Sequence, residues 1–169
     1  MARTSYGIAL GSNRRHGRHG GPAATLRAAI EALAQLGIEI GTVSQVRQTP
    51  ALGPAGRSFA NAAILVTTDL EPQELLAELQ ELERSFGRRG GRHWGPRVID
   101  LDIILWSEGP YAASGLVIPH PEMRKRAFVL DPLDQLIPDW RDPVSGLTVR
   151  QLRARLAARR PVDPETHRS

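Results

Sequence analysis

The sequence predicts a single α+β domain in which helices pack on an antiparallel sheet. Three observations carry that prediction. Three short apolar segments, residues 5–10, 59–68 and 98–105, have strand character. Two amphipathic segments each end at a glycine, the residue that best terminates a helix. The segments follow the order β-α-β-β-α-β, the split arrangement of ferredoxin-like α+β folds. A chain of 169 residues with 41% hydrophobic content can bury one real core. Residues 1–160 are assigned to the domain and residues 161–169 to a flexible tail.

Taken in order, SYGIAL (5–10) is a strand that runs into the glycine-rich basic loop GSNRRHGRHGGP. Pro22 suits the first turn of a helix. Leu26, Ile30 and Leu33 then recur at helical spacing through Leu36, and Gly37 stops the helix. Ile38–Val46 alternates as one strand, and TPALGPAGRS (49–58) is a Pro/Gly loop. FANAAILVTT (59–68) is the next strand. Asp69 or Glu71 with Pro72 opens a second helix, with Leu75, Leu76, Leu79, Leu82 and Phe86 on one face and Gly87 as its stop. The strand VIDLDIIL (98–105) follows. Residues 118–140 read as loop-rich, Thr148–Arg159 as a last helix, and the helices as covering one face of the sheet.

Composition excludes several functions. The chain has no cysteine, so it has no disulfide or thiolate metal site. No apolar run approaches the roughly 20 residues of a membrane span, and MARTSYGIALGSN lacks signal-peptide architecture, so a cytoplasmic location is expected. G-x-x-x-x-G-K-[ST], G-x-G-x-x-G and G-x-S-x-G are all missing. The net charge is +4, and Lys125 is the single lysine. Arginines cluster at Arg14, Arg15 and Arg18 and again at Arg88, Arg89, Arg92 and Arg97, as they do where polyanions bind.

The most informative stretch is GRRGGRHWGPRVIDLDIIL (87–105). Strand side chains alternate, so Asp100 and Asp102 share one face and Ile99, Leu101 and Ile103 the other. Two carboxylates about 7 Å apart along a strand repel each other unless a cation bridges them. Oxygen donors of this kind suit Mg²⁺ completed by substrate phosphates. The arginines before the pair supply charge for those phosphates. The glycines around Trp94 give the loop the character of a lid. His120, held between Pro119 and Pro121, is either a turn histidine or a phosphate donor, with Arg126 six residues on. Phe59 and Phe128 can pack in the core or stack on a flat heterocycle. The Asn61 amide both donates and accepts, as reading the edge of a pterin or base requires.

GSN (11–13), TPALGP (49–54), FANAA (59–63), ELLAELQELE (74–83), GR…RHWGPRVIDLDIIL (87–105) and IPHPEMRKRAFVL (118–130) together resemble the 6-hydroxymethyl-7,8-dihydropterin pyrophosphokinase family of folate biosynthesis. The resemblance runs from about residue 6 to residue 140. It implies ATP-dependent transfer of a pyrophosphoryl group to the hydroxymethyl oxygen of the dihydropterin, with release of AMP. It also implies two Mg²⁺ ions on Asp100 and Asp102, and phosphate contacts from Arg88, Arg97, His120 and Arg126. Gln80, Glu83, Trp94 and Ile103 then border the nucleotide. Thr49, Pro50, Leu52 and Asn61 line the pterin pocket, with Phe59 and Phe128 stacking on the ring. The first loop is longer and more basic than the family's turn after GSN. The second lid arginine corresponds to Arg89, to Arg92 or to neither, and Phe59 stands where some members have tyrosine. The expected partners are small molecules, without nucleic acid or membrane, and the expected state is a monomer. The competing readings are a nucleotide- or RNA-binding module on the same fold, and a relative that keeps the pocket without the chemistry.

Overall fold

The computed structural model describes residues 2–12, 21–49, 59–89 and 98–159, with backbone only at Thr49, Arg88 and Arg89. The elements are β1 (Thr4–Ser12), α1 (Pro22–Gln35), β2 (Glu39–Val43), β3 (Arg47–Thr49), β4 (Phe59–Thr68), α2 (Pro72–Arg89), β5 (Ile99–Trp106), β6 (Tyr111–Ala113), β7 (Leu116–Ile118), a 3₁₀ turn (Met123–Lys125), α3 (Ala127–Leu136) and α4 (Val149–Arg159). The main sheet has the order β2-β4-β1-β5, with β3 on the same edge of β4 as β2, and every pairing is antiparallel. It is the ferredoxin-like α+β architecture expected from the element order. A small β6–β7 hairpin stands apart.

The central strand β1 alternates large and small residues. Tyr6, Ile8 and Leu10 enter one core with Leu26 and Leu33 of α1 and Leu75, Leu79 and Phe86 of α2. The Tyr6 hydroxyl donates to the Leu70 carbonyl at 2.7 Å, and burial pushes its pKa up to about 12. Gly7, Ala9 and Gly11 take the opposite face. There Ala9 joins a second core with Met123, Leu130 and Leu133 and with Val149 and Leu152 of α4. Gly7 faces Leu133 and Ile137, which a Cβ there would meet at 3.5 Å, an ordinary packing distance. Helices therefore cover both faces of the sheet, not one.

Strand β5 serves both cores through a bulge. Ile8 pairs with Ile103 but Gly7 pairs with Leu105, so one extra β5 residue intervenes. Ile99, Leu101 and Ile103 point into the first core, whereas Ile104 and Leu105 belong to the second. An unbroken apolar run is thus compatible with a two-carboxylate face.

Three boundaries differ from the sequence reading. Within the segment Ile38–Val46 the strand covers only Glu39–Val43, because Ser44 interrupts the ladder, and a separate strand follows at Arg47–Thr49. The Ser44 hydroxyl accepts the Ala63 N–H at 2.8 Å and donates to the Gln45 carbonyl at 3.0 Å. Helix α2 runs through Gly87 to Arg89, since Gly87 lacks the positive φ that a glycine stop requires, whereas Gly37 has it (φ 84°). The region read as loop-rich contains the β6–β7 hairpin and α3. Pro132 lies inside α3 yet is buried, and packing of Val129, Leu130 and Leu133 offsets the hydrogen bond that proline cannot make. Helix α4 begins where expected, with a reciprocal cap between Thr148 and Gln151.

Candidate active site

The floor of the site is read directly from the strand register. Gly11 pairs with Asn61 on one side and Asp100 on the other, so Asn61, Gly11 and Asp100 form one row across β4, β1 and β5. Ala63, Ala9 and Asp102 form the next row. Directly paired residues share a face, which puts the amide and both carboxylates on the α3 side of the sheet. With strands about 4.8 Å apart, Asn61 and Asp100 lie roughly 10 Å apart across the strands, separated by a residue with no side chain. A Cβ on Gly11 would come within 3.3 Å of Asn61 Oδ1. The small residues of β1 therefore make a shallow groove, with the amide on one bank and the carboxylates on the other.

Helix α3 covers the part of this face over Gly7 and Ala9 and leaves the Gly11 end to the site. Its direction follows from two ties to the β2–β3 segment. The Gln45 N–H donates to Gln135 Oε1, and two residues on Arg47 donates to Asp131, one helical turn nearer the α3 N-terminus. That N-terminus therefore points toward the Asn61 end of β4. It carries Arg126 as the N-cap residue and Phe128 in the first turn. The positive end of the helix dipole and the Arg126 guanidinium both favour an anion there. Arg126 Cζ lies 5.7 Å from the centre of the Phe128 ring. Phe128 is 51% exposed and Phe59 46%, and Phe59 shares the face of Asn61 by alternation. Neither phenylalanine is a core residue.

His120 follows the cis Ile118–Pro119 peptide. Its backbone N–H donates to the Ile104 carbonyl at 3.0 Å, which holds it against β5 two residues beyond Asp102. Its Nδ1 accepts the Glu122 N–H at 3.1 Å. In the neutral ring the proton then sits on Nε2, which makes that atom a donor. The turn is braced from below. Arg124 makes a two-pronged ion pair with Asp142, at 2.6 Å to Oδ2 and 2.8 Å to Oδ1. Asp142 is fully buried and also accepts from Ser145 Oγ and the Val144 N–H. Burial works to raise its pKa, but these donors and the Arg124 charge outweigh it and hold the carboxyl below its usual range.

The structure thus gathers Asp100, Asp102, Asn61 and Phe59 on one sheet face, with Arg126, Phe128 and His120 along its border. It places Gln80, Glu83 and Ile103 differently. Helix α2 packs on the opposite face of the sheet. Gln80 and Glu83 lie on that helix, and Ile103 is 3% exposed in the core beneath it, so what Ile103 offers a ligand is backbone. Thr49 lies in β3 opposite Phe59, and Arg88 in the last turn of α2. Pro50, Leu52, Trp94 and Arg97, with Arg89's side chain, Arg92, the loop 14–20 and the tail 161–169, lie outside the described residues. Sequence reasoning missed Gly11 as the floor of the groove. Its signal was legible in Gly7-x-Ala9-x-Gly11, a period-two run of small residues.

Asp100 and Asp102 can hold a divalent cation. Both are oxygen donors, and among the described residues no group of three or more His, Cys, Asp or Glu surrounds a common point. Two carboxylates alone supply only part of a coordination sphere, a donor set that suits Mg²⁺, an ion that keeps water and takes substrate phosphate oxygens. None of the described helices is long and apolar enough to cross a membrane.

Comparison with known proteins identifies relatives of the chain. The family model for 7,8-dihydro-6-hydroxymethylpterin-pyrophosphokinase matches residues 7–138. The chain is 41% identical to the 2-amino-4-hydroxy-6-hydroxymethyldihydropteridine pyrophosphokinase of Synechocystis sp., covering 75% of this chain and 66% of that one. It is 39% identical to the enzyme of the same name from Methylorubrum extorquens, covering 88% and 91%. Among solved structures, Plasmodium falciparum HPPK-DHPS with pteroate aligns with 94% of this chain and 43% of its own length. Its TM-score is 0.70 at 14% identity, a likeness of fold. The chain therefore spans about two thirds of the Synechocystis relative and less than half of the Plasmodium one.

Proposed function

Since the chain belongs to the 7,8-dihydro-6-hydroxymethylpterin-pyrophosphokinase family, we propose that it transfers pyrophosphate from ATP to 6-hydroxymethyl-7,8-dihydropterin in folate biosynthesis. The observation that carries this reading is the row Asn61–Gly11–Asp100, which sets an amide suited to a heterocycle edge beside a carboxylate suited to a metal-bound phosphate. The substrate hydroxymethyl oxygen attacks the β-phosphorus of ATP. The bond from that phosphorus to the oxygen bridging to the α-phosphate breaks, AMP departs, and the hydroxyl proton goes to solvent.

In this scheme Asn61 pairs with the pterin edge, and Phe59 and Phe128 stack on its ring, with Thr49, Pro50 and Leu52 completing the pocket. Arg126, the α3 N-terminus and His120 Nε2–H fix the phosphates, joined by Arg88 at the end of α2 and by Arg97. Gln80, Glu83, Trp94 and the Ile103 backbone border the nucleotide. Asp100 and Asp102 would hold two Mg²⁺ ions, which when bound supply charge neutralisation to the phosphates and acidify the attacking hydroxyl. Phosphoryl chemistry asks the protein mainly for in-line positioning and charge stabilisation, so no dedicated general base is required. The chain acts as a single domain over residues 1–160, as a monomer in the cytoplasm.

The test is the identity of the product. Phosphorus NMR of a reaction with ATP, Mg²⁺ and the dihydropterin should show two coupled phosphorus nuclei on the pterin. A pterin carrying one phosphate would replace pyrophosphoryl transfer by simple phosphorylation.

A further inference from the structure

We propose that Asp131 is a positioning residue whose ion pair with Arg47 sets the width of the dihydropterin pocket. This rests on the pocket assignment made under the proposed function.

Asp131 sits on α3 three residues after Phe128, on the same rigid helix. Its two carboxylate oxygens are divided between two elements. Arg47 Nη1 of β3 donates to Oδ2 at 2.9 Å, and Arg153 Nε of α4 donates to Oδ1 at 2.8 Å. Arg47 is the register partner of Asn61, so it stands directly beside the amide that reads the pterin edge. It also lies two residues before Thr49, where the chain leaves β3 for the pterin loop. The Arg47–Asp131 contact therefore ties the bank carrying Asn61 and Phe59 to the helix turn carrying Phe128. A second polar tie, Gln45 to Gln135, lies one turn further from the site, as does the packing of Ala63 against Leu130 and Leu133.

Stability does not account for this pair. Arg47 is 59% exposed and Asp131 only 19%, but Asp131 keeps Arg153 as a second partner, so losing the Arg47 contact alone costs folding little. Its place in the structure gives it a different lever. Holding two walls of a pocket at a fixed spacing lowers the ordering cost of binding. The effect falls chiefly on the heterocycle, which the clasp holds from two sides; the phosphates meet the α3 N-terminus too, but also His120 and the carboxylate bank on β5, which the clasp does not tie.

The experiment compares Arg47→Gln, Asp131→Asn, their double variant and Arg153→Gln in the full chain. Equilibrium dissociation constants are measured for 6-hydroxymethyl-7,8-dihydropterin and, separately, for a non-hydrolysable ATP analogue with Mg²⁺. Arg47→Gln and Asp131→Asn should each weaken dihydropterin binding about three- to fivefold, the range a half-exposed pair can supply. The dihydropterin KM should rise while kcat holds, and nucleotide affinity should fall by less than the dihydropterin affinity does. The double variant should be no worse than either single one, and Arg153→Gln should leave dihydropterin binding unchanged. Unchanged dihydropterin affinity in Arg47→Gln, additive losses in the double variant, or an equal loss of nucleotide affinity would overturn the clasp alone. Wild-type protein that binds no dihydropterin would overturn the pocket assignment and the clasp together.

Discussion

The guanidinium carbon of Arg126 stands 5.7 Å from the ring centre of Phe128, so a candidate phosphate ligand rests on a candidate pterin platform. Both residues belong to the start of α3, and the contact is a cation–π interaction between half-exposed groups, worth about 0.5–1 kcal/mol. Phe128→Ala is expected to weaken dihydropterin binding, and Arg126→Ala to slow turnover. Phe128→Leu should keep the packing but not the cation–π term. A double-mutant cycle on kcat/KM should return a coupling of this size, and strict additivity would mean that the two side chains act separately.

Asp102 is half-buried between the central strand and the phosphate border. Asp102→Ala should lower kcat by roughly 10³-fold, the several kcal/mol that metal-held charge stabilisation supplies. The melting temperature should change little, because Asp102 belongs to neither hydrophobic core. Removing Mg²⁺ with EDTA should stop turnover reversibly. Wild-type rates in the variant would remove the carboxylate pair from the metal site.

Gly11→Ala probes the groove with one methyl group. The added carbon meets Asn61 Oδ1 at 3.3 Å, so the amide has to turn. Dihydropterin affinity should fall about tenfold, the ~1.4 kcal/mol typical of a tight overpacked contact. Nucleotide affinity and the thermal midpoint should change little, as titration of each ligand and a melting curve would show. An unchanged dihydropterin constant would place the pterin edge away from Asn61.

Asp142 braces the His120 turn, and its stability contribution has a defined pH window. Its folded pKa lies below the unfolded value, so the stabilisation is complete above about pH 4 and is lost as pH falls through the folded pKa. Asp142→Asn should cost about 3 kcal/mol at neutral pH, since it leaves Arg124 without a charged partner. Its stability should also vary less with pH below 4 than that of the wild type. Parallel acid-denaturation curves for the two proteins would contradict this assignment.

Much of the site was legible because its signals are local. The alternation around Asp100 and Asp102 told which side chains share a face, and FANAAILVTT was legible as a strand, although the common face of Phe59 and Asn61 came only with the register. Gly37 announced the end of α1 through the backbone conformation that only glycine takes freely. Gly87 carried the same letter without the conformation, and α2 ran on. Helix α3 was hidden by Pro132, whose cost is met by core packing that no local pattern displays. Ser44 broke a strand by substituting its hydroxyl for a backbone group, which periodicity cannot foresee. Arg47 and Asp131 are 84 residues apart in sequence, and nothing near either one names the other. Long-range polar partners are set by the fold, and they emerge only when the register is known.

The most direct measurement is AMP release from ATP and Mg²⁺, with and without 6-hydroxymethyl-7,8-dihydropterin, run beside Asp102→Ala. The expected result is AMP that appears only with the dihydropterin and disappears in the variant. AMP formed equally without the dihydropterin, or no AMP from a folded protein that binds both ligands, would contradict pyrophosphoryl transfer at this site.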